Sequence, residues 1–283
     1  MIEIEDVGEL VDPVVIAAFA GWNDAGDAAS GAVEHLMEAW DARIIGAVDP
    51  EEFYDFQVNR PTVGHDGSGH MRLTWPTTQL AIASPPELER DVIFISGIEP
   101  SMRWRQFCAE LLAAVDELGG TLVVTLGALL SDTPHTRPIP VTGTATEPDL
   151  VDRLTLEHST YEGPTGIVGV LLAACGRLDV PAVSYWSAVP HYAASPPCPK
   201  ATLALINALE ELLETSLPLA DLGEDSRAWE RGVDELAEED EDIADYVRAL
   251  EETRDTADLP EASGEAIARE FERFLKRSRG ADD

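Results

Sequence analysis

The stretch TLVVTLGALL, residues 121–130, is apolar at nearly every position and lies between Gly119-Gly120 and the polar loop SDTPHTRP. A strand with one face in water alternates apolar and polar residues; a strand covered on both faces need not. The run therefore predicts a central strand in a sheet flanked by helices. Upstream, apolar residues recur at helical spacing from Trp104 to Leu118, where the two glycines stop the helix. Before that helix, DVIFISGIEP (91–100) reads as another buried strand. PVVIAAFAG (13–21) reads as a strand that feeds a helix over GDAASGAVEHLMEAW (26–40), and ARIIGAVD (42–49) as the next strand. HMRLTWP (70–76) and TQLAIAS (78–84) are expected to form a hairpin, because Pro76 and Thr77 interrupt two β-favouring runs. Downstream, IPVTGTA and PAVSYWSAVPHY read as strands, and EPDLVDRLTLEHS, TGIVGVLLAACGRL and KATLALINALEELL as helices. This alternation predicts an α/β fold around a mainly parallel sheet.

Beyond Leu217 the strand-like runs stop and two acidic amphipathic helical patterns follow. In the second, Ile267, Phe271, Phe274 and Leu275 form an apolar stripe. The expected division is an α/β core over residues 1–220 and an acidic helical extension over 221–283. The chain of 283 residues carries 54 acidic against 19 basic residues, a formal charge of −35, and its only lysines are Lys200 and Lys276. Such a surface repels phosphate backbones and anionic lipid, which argues against nucleic-acid and membrane partners. MIEIEDVGEL is acidic where a secretory leader would be basic, and no apolar run approaches the ~18 residues that span a bilayer, so a cytoplasmic protein is expected. Cys108, Cys175 and Cys198 stand apart without C-x-x-C spacing, so buried reduced thiols are expected rather than disulfides or zinc. His65 and His70 in HDGSGH are too loosely framed for metal ligands. No metal or other cofactor is expected.

Four polar, glycine-containing loops stand out. In GWNDAGDAA, Gly21, Gly26 and Gly31 fit neither G-x-G-x-x-G nor a P-loop, while Asn23 or Asp24 can cap the following helix. SDTPHTRPIP (131–140) lies past the carboxyl end of the predicted central strand, where open sheets gather ligand residues. There His135 could shuttle protons, Asp132 could orient it, and Arg137 could grip an anion or pair with a carboxylate of its own chain. STYEGPTGIVG (159–169) brings Glu162 towards a helix N-terminus, and SYWSAVPHY (184–192) brings Trp186, His191 and Tyr192 to a strand end. No G-x-S-x-G elbow, H-E-x-x-H helix or Cys with a nearby His motif supplies an activated nucleophile.

Taken in order and spacing, GWNDAGDAA, SDTPHTRP, YEGPTGIVG and SYWSAVPHY resemble the proteasome assembly chaperone 2 family, its actinobacterial members in particular, over roughly residues 10–220. The resemblance implies a three-layer α/β sandwich like that of nucleoside phosphorylases and hydrolases. It also implies a helical C-terminal extension, homo-oligomers with a trimer favoured, and a relation to chaperones that guide assembly of the proteasome α-subunit ring. It brings no established catalytic residues. The sequence ends in RSRGADD, without the hydrophobic-Tyr-any tripeptide with which such chaperones enter pockets between α-subunits, so that mode of proteasome binding is not expected. Two readings follow. The first is a non-enzymatic, homo-oligomeric assembly or interaction protein. The second is a small-molecule-binding protein or enzyme of phosphorylase/hydrolase type, with a pocket of Asn23, Asp24, His135, Arg137, Glu162 and His191.

Overall fold

The computed structural model describes residues 2–154, 156 and 161–258. In chain order the first half comprises β1 (Glu3–Ile4), β2 (Val14–Ala20), α1 (Ala28–Ala39), β3 (Arg43–Ala47), α2 (Pro50–Phe53), β4 (Thr62–His65), β5 (Met71–Thr74), β6 (Thr78–Ala83), β7 (Val92–Ile98) and α3 (Trp104–Glu117). There follow β8 (Leu122–Ser131), β9 (Val141–Ala145), α4 (Pro148–Arg153), α5 (Ile167–Arg177), β10 (Ala182–Pro190), α6 (Pro199–Leu213), α7 (Leu222–Glu239) and α8 (Glu241–Asp258). Eight strands form one sheet in the order β1-β3-β6-β7-β2-β8-β10-β9. Its centre, β7-β2-β8-β10, is parallel. Antiparallel strands extend it on both sides, β6, β3 and β1 on one and β9 on the other.

The apolar runs of the central strands are explained by two cores, one on each face. Along β2, Val15, Ala17 and Phe19 join a core with Phe107 and Leu111 of α3 and Ile167 and Leu171 of α5. Val14, Ile16 and Ala18 face the other way, towards Val33 and Leu36 of α1 and Leu205 and Leu209 of α6. Successive residues of a strand point to opposite faces, so a strand between two helical layers must be apolar throughout. The result is the three-layer arrangement. Close approach is built in at Gly127 of β8, where a Cβ would lie 2.7 Å from the Trp186 ring on β10.

One expectation fails. HMRLTWP does not pair with TQLAIAS: β5 pairs with β4 in a separate two-stranded sheet, and β6 joins β3 and β7. The cause is a local turn in HDGSGH. The Asp66 carboxylate accepts from Ser68 N at 2.9 Å and His70 N at 2.9 Å, and Gly69 takes φ +86°, which closes the β4–β5 turn. The helix expected over EPDLVDRLTLEHS is seen as α4, and residues 155 and 157–160 lie outside the described part of the chain. The second amphipathic pattern of the tail, with Ile267, Phe271, Phe274, Leu275 and Lys276, also lies outside the described residues.

Phe107 is fully buried and makes edge contacts with Phe19 at 5.8 Å and Phe53 at 5.3 Å between ring centres. Phe107→Ala is expected to cost about 3–5 kcal/mol in urea unfolding. A loss below about 1 kcal/mol would mean that α3 is not anchored to the sheet in this way.

Candidate functional site

The four parallel strands run the same way, so their carboxyl ends, at Ala20, Ile98, Ser131 and Pro190, lie along one edge of the sheet. The loops that leave these ends carry Asn23 and Asp24, then Glu99, then Asp132, His135 and Arg137, then His191 and Tyr192. The topology thus gathers the polar residues of separate loops along one edge.

The first group lies between β2, β7 and α5. Asp24 is buried and serves α1: its carboxylate accepts from Ala29 N at 2.7 Å and Ser30 N at 3.3 Å, and from the Ser30 hydroxyl. Burial holds this carboxyl above its usual range, and the hydrogen bonds from Ser30 and Ala29 oppose that shift. Asn23, fully buried, takes no part in the cap. Its Nδ2 donates to Glu99 Oε1 at 2.6 Å, and that oxygen also accepts from Ile167 N at 2.8 Å in the first turn of α5. Glu99, rather than Glu162, therefore meets the helix terminus; Glu162 is exposed. Gly166 lets Asn23 approach, since a Cβ there would stand 2.0 Å from Asn23 Oδ1. That oxygen is buried and has no hydrogen-bond partner among the described residues.

The second group lies under the C-terminal helices. His135 is 1% exposed, with Nδ1 at 2.8 Å from Tyr192 Oη and Nε2 at 3.0 Å from Asp234 Oδ1 of α7. Tyr192 Oη also accepts from His135 N at 2.8 Å. A neutral imidazole satisfies this set if Tyr192 donates to Nδ1 and Nε2–H donates to Asp234. Burial pushes the Tyr192 phenol up to about 12, which keeps its proton in place. Asp132 does not orient His135. It accepts from Tyr246 Oη at 2.9 Å and lies 3.5 Å from His191 Nδ1. Arg137 grips a carboxylate in a fork as its chemistry suggests, and that carboxylate belongs to its own chain: Nε and Nη2 each donate to Asp255 at 2.8 Å, and Nη1 donates to Glu251 at 3.1 Å. The hydrogen bonds from Arg137 hold the Asp255 carboxyl below its usual range. Lys200 of α6 donates to the His135 carbonyl and to Glu230 of α7. The rings of His135, Tyr192, His191 and Tyr246 pack edge to face in a chain, with centres 5.2–5.9 Å apart. Trp186 lies within β10, away from that cluster, and donates to Ser184 Oγ at 3.0 Å.

The residues that sequence reasoning missed are Glu99, Lys200 and the α7–α8 carboxylates. Glu99 directly follows a strand in the run FISGIEP, and Lys200 is one of two lysines in the chain; both signals were present. The three cysteines are buried, and burial pushes the Cys198 thiol up to about 11, so little thiolate forms near neutral pH. Among the described residues no cluster of His, Cys, Asp or Glu is placed to hold a metal ion, and no helix is long and apolar enough to cross a membrane. A cavity of about 460 Å³ is lined by residues of β1 and β3 and includes none of the six candidate residues.

Comparison with known proteins gives one family. The PAC2 family model matches residues 18–237. The chain is 59% identical to a PAC2 family protein from Streptomyces avermitilis, with TM-score 0.79 over 83% of this chain and 100% of that one. It is 51% identical to a proteasome-assembly chaperone homologue from Mycobacterium tuberculosis, with TM-score 0.76 over 83% of this chain and 99% of the other. An archaeal proteasome activator from Pyrococcus furiosus shares the fold at 17% identity and TM-score 0.68, over 83% of this chain and 98% of its own. Among the curated proteins, none matches.

Two measurements check the geometry. His135→Ala removes the ring that links Tyr192 Oη to Asp234, although Tyr192 keeps the backbone N–H of residue 135 and the half-exposed Asp234 can turn to water, and opening of α7–α8 is expected to become easier by about 1 kcal/mol, or about fivefold, read as faster limited proteolysis within 222–258. Unchanged cleavage would mean that His135 does not hold these helices. Asp24 has a raised pKa when folded, so its contribution is greatest at low pH and is lost as pH rises through the folded value. The stability of the native chain minus that of Asp24→Asn is therefore expected to fall as pH rises from the ordinary carboxylate range towards neutrality. A rise over that interval would reverse the assigned sign.

Proposed function

The chain belongs to the PAC2 family, and from that premise we propose that it is a non-enzymatic, homo-oligomeric protein that acts by binding other proteins during assembly of a larger complex. Proteasome subunits are the partner class. This is supported by the 51% identity to the mycobacterial proteasome-assembly chaperone homologue. The observation that carries the non-enzymatic part is the state of the strand-end edge. Asp24 is spent on a helix cap, Arg137 on Asp255 and Glu251, and His135 on Tyr192 and Asp234. A reaction site needs such groups turned towards a substrate, and here they are turned towards the chain's own helices. We take the α/β core as residues 1–220 and the acidic extension as 221–283, the core as phosphorylase/hydrolase-like, the assembly as a trimer and the location as cytoplasmic.

A second reading rests on one observation, the buried Asn23 Oδ1, without a hydrogen-bond partner among the described residues, beside Glu99 and the start of α5. On that reading the strand-end loops, with Asn23, Asp24, His135, Arg137, Glu162 and His191, bind a small molecule.

Co-elution with a 20S core or its isolated α-subunits at low salt is the test of the first reading, with a complex as the expected result. If no complex forms, and a thermal-shift panel of nucleotides, sugar phosphates and carboxylates raises the melting temperature, the second reading replaces it.

A further inference from the structure

The β4–β5 hairpin stands apart from the main sheet, and all residues from 62 to 75 are exposed. Its register pairs Val63 with Leu73 and His65 with Met71. Alternation along each strand puts these four side chains on one face and Thr62, Gly64, Arg72 and Thr74 on the other. The first face is apolar and uncovered: Met71 is 69% exposed, Val63 61% and Leu73 46%. Trp75 continues the stripe and packs against Phe56 at the base of the hairpin, 4.9 Å between ring centres. A two-stranded ribbon is marginal by itself in water, and a contiguous apolar face on one marks a surface that another body covers.

The charge of the hairpin indicates what covers it. Between Val58 and Trp75 the sequence holds Arg60, Arg72, His65 and His70 against the single acid Asp66. The whole chain carries 54 acids against 19 bases. The arm is thus a locally cationic segment on a strongly acidic molecule, and the acidic surface always present at the same concentration is that of another copy. We propose that the β4–β5 arm docks on the acidic surface of a second copy of this chain. It laps onto its neighbour through the Val63–Met71–Leu73 face, while the charges of Arg60, before β4, and of Arg72, on the ribbon's other face, draw the arm towards the neighbour's carboxylates at longer range. Arm and acceptor are different surfaces, so the contact is head-to-tail and closes into a ring when its rotation allows. The proposal rests on the homo-oligomer reading above and names the element that makes it.

The test uses the full chain and light-scattering mass across a dilution series. Val63→Thr, Met71→Thr and Leu73→Thr together remove the apolar face and keep residues that suit a strand. Arg60→Glu with Arg72→Glu reverses the charge and leaves that face intact. Both variants change only exposed positions, so their melting under dissociating dilution should match that of the native chain. The native chain is expected above the 30.6 kDa of one copy, and each variant is expected to dissociate at a concentration at least tenfold higher. A native chain that is monomeric throughout overturns both the oligomer reading and the arm. An oligomer whose dissociation neither variant shifts overturns the arm alone, as does an arm that binds only a different protein.

Discussion

The ion pairs between the loop after β8 and the two C-terminal helices are the constraint on which the candidate site depends. In a chain of net charge −35, cations are scarce, and Arg137 and Lys200 both point at carboxylates of α7 and α8. Exposed ion pairs contribute little. Here the contacts are partly sheltered, His135 is buried beneath them, and Arg137 binds in a fork, which fixes position as well as adding attraction. The helices have few apolar anchors of their own. Leu222 and Val233 of α7 and Val247 of α8 are buried, and most of their other residues face water. Trp229 of α7 also packs against the core cluster of Ala28, Val189 and Cys198, and the directional charged contacts add to the orientation that this packing sets.

The same arrangement decides what the strand-end edge can do. A parallel sheet collects the loops of four strands in one place, the usual setting for a ligand site. In this protein the residues brought there hold structure together: Asp24 starts α1, Glu99 ties Asn23 to the first turn of α5, and His135 links Tyr192 to α7. Aromatic rings fill space between these hydrogen bonds, and α7–α8 form its outer wall. A protein that acts through its surface is compatible with this use of Asp24, Glu99 and His135.

Much of the architecture was legible in residues 13–21 and 121–130, because a strand between two helical layers must be apolar on both faces and few other elements read that way. The placement of Asn23, Asp24, His135 and Arg137 near strand ends was legible for the same reason. Their partners were not. Arg137 finds Asp255 118 positions away and His135 finds Asp234 99 positions away, and local pattern carries no information about which of many carboxylates wins. The β5 pairing was misread because Pro76-Thr77 resembles a turn, while the true turn is made by the Asp66 side chain. Trp186 was placed too near the strand end because β10 runs on to Pro190.

Native-state hydrogen exchange on the unmodified chain tests the central claim most directly. If the ion pairs and His135 hold the helices over the edge, the amides of α7 and α8 exchange slowly and open together with the loop from Asp132 to Arg137 as one unit. Exchange of α8 at free-peptide rates, with that loop still protected, would contradict the account.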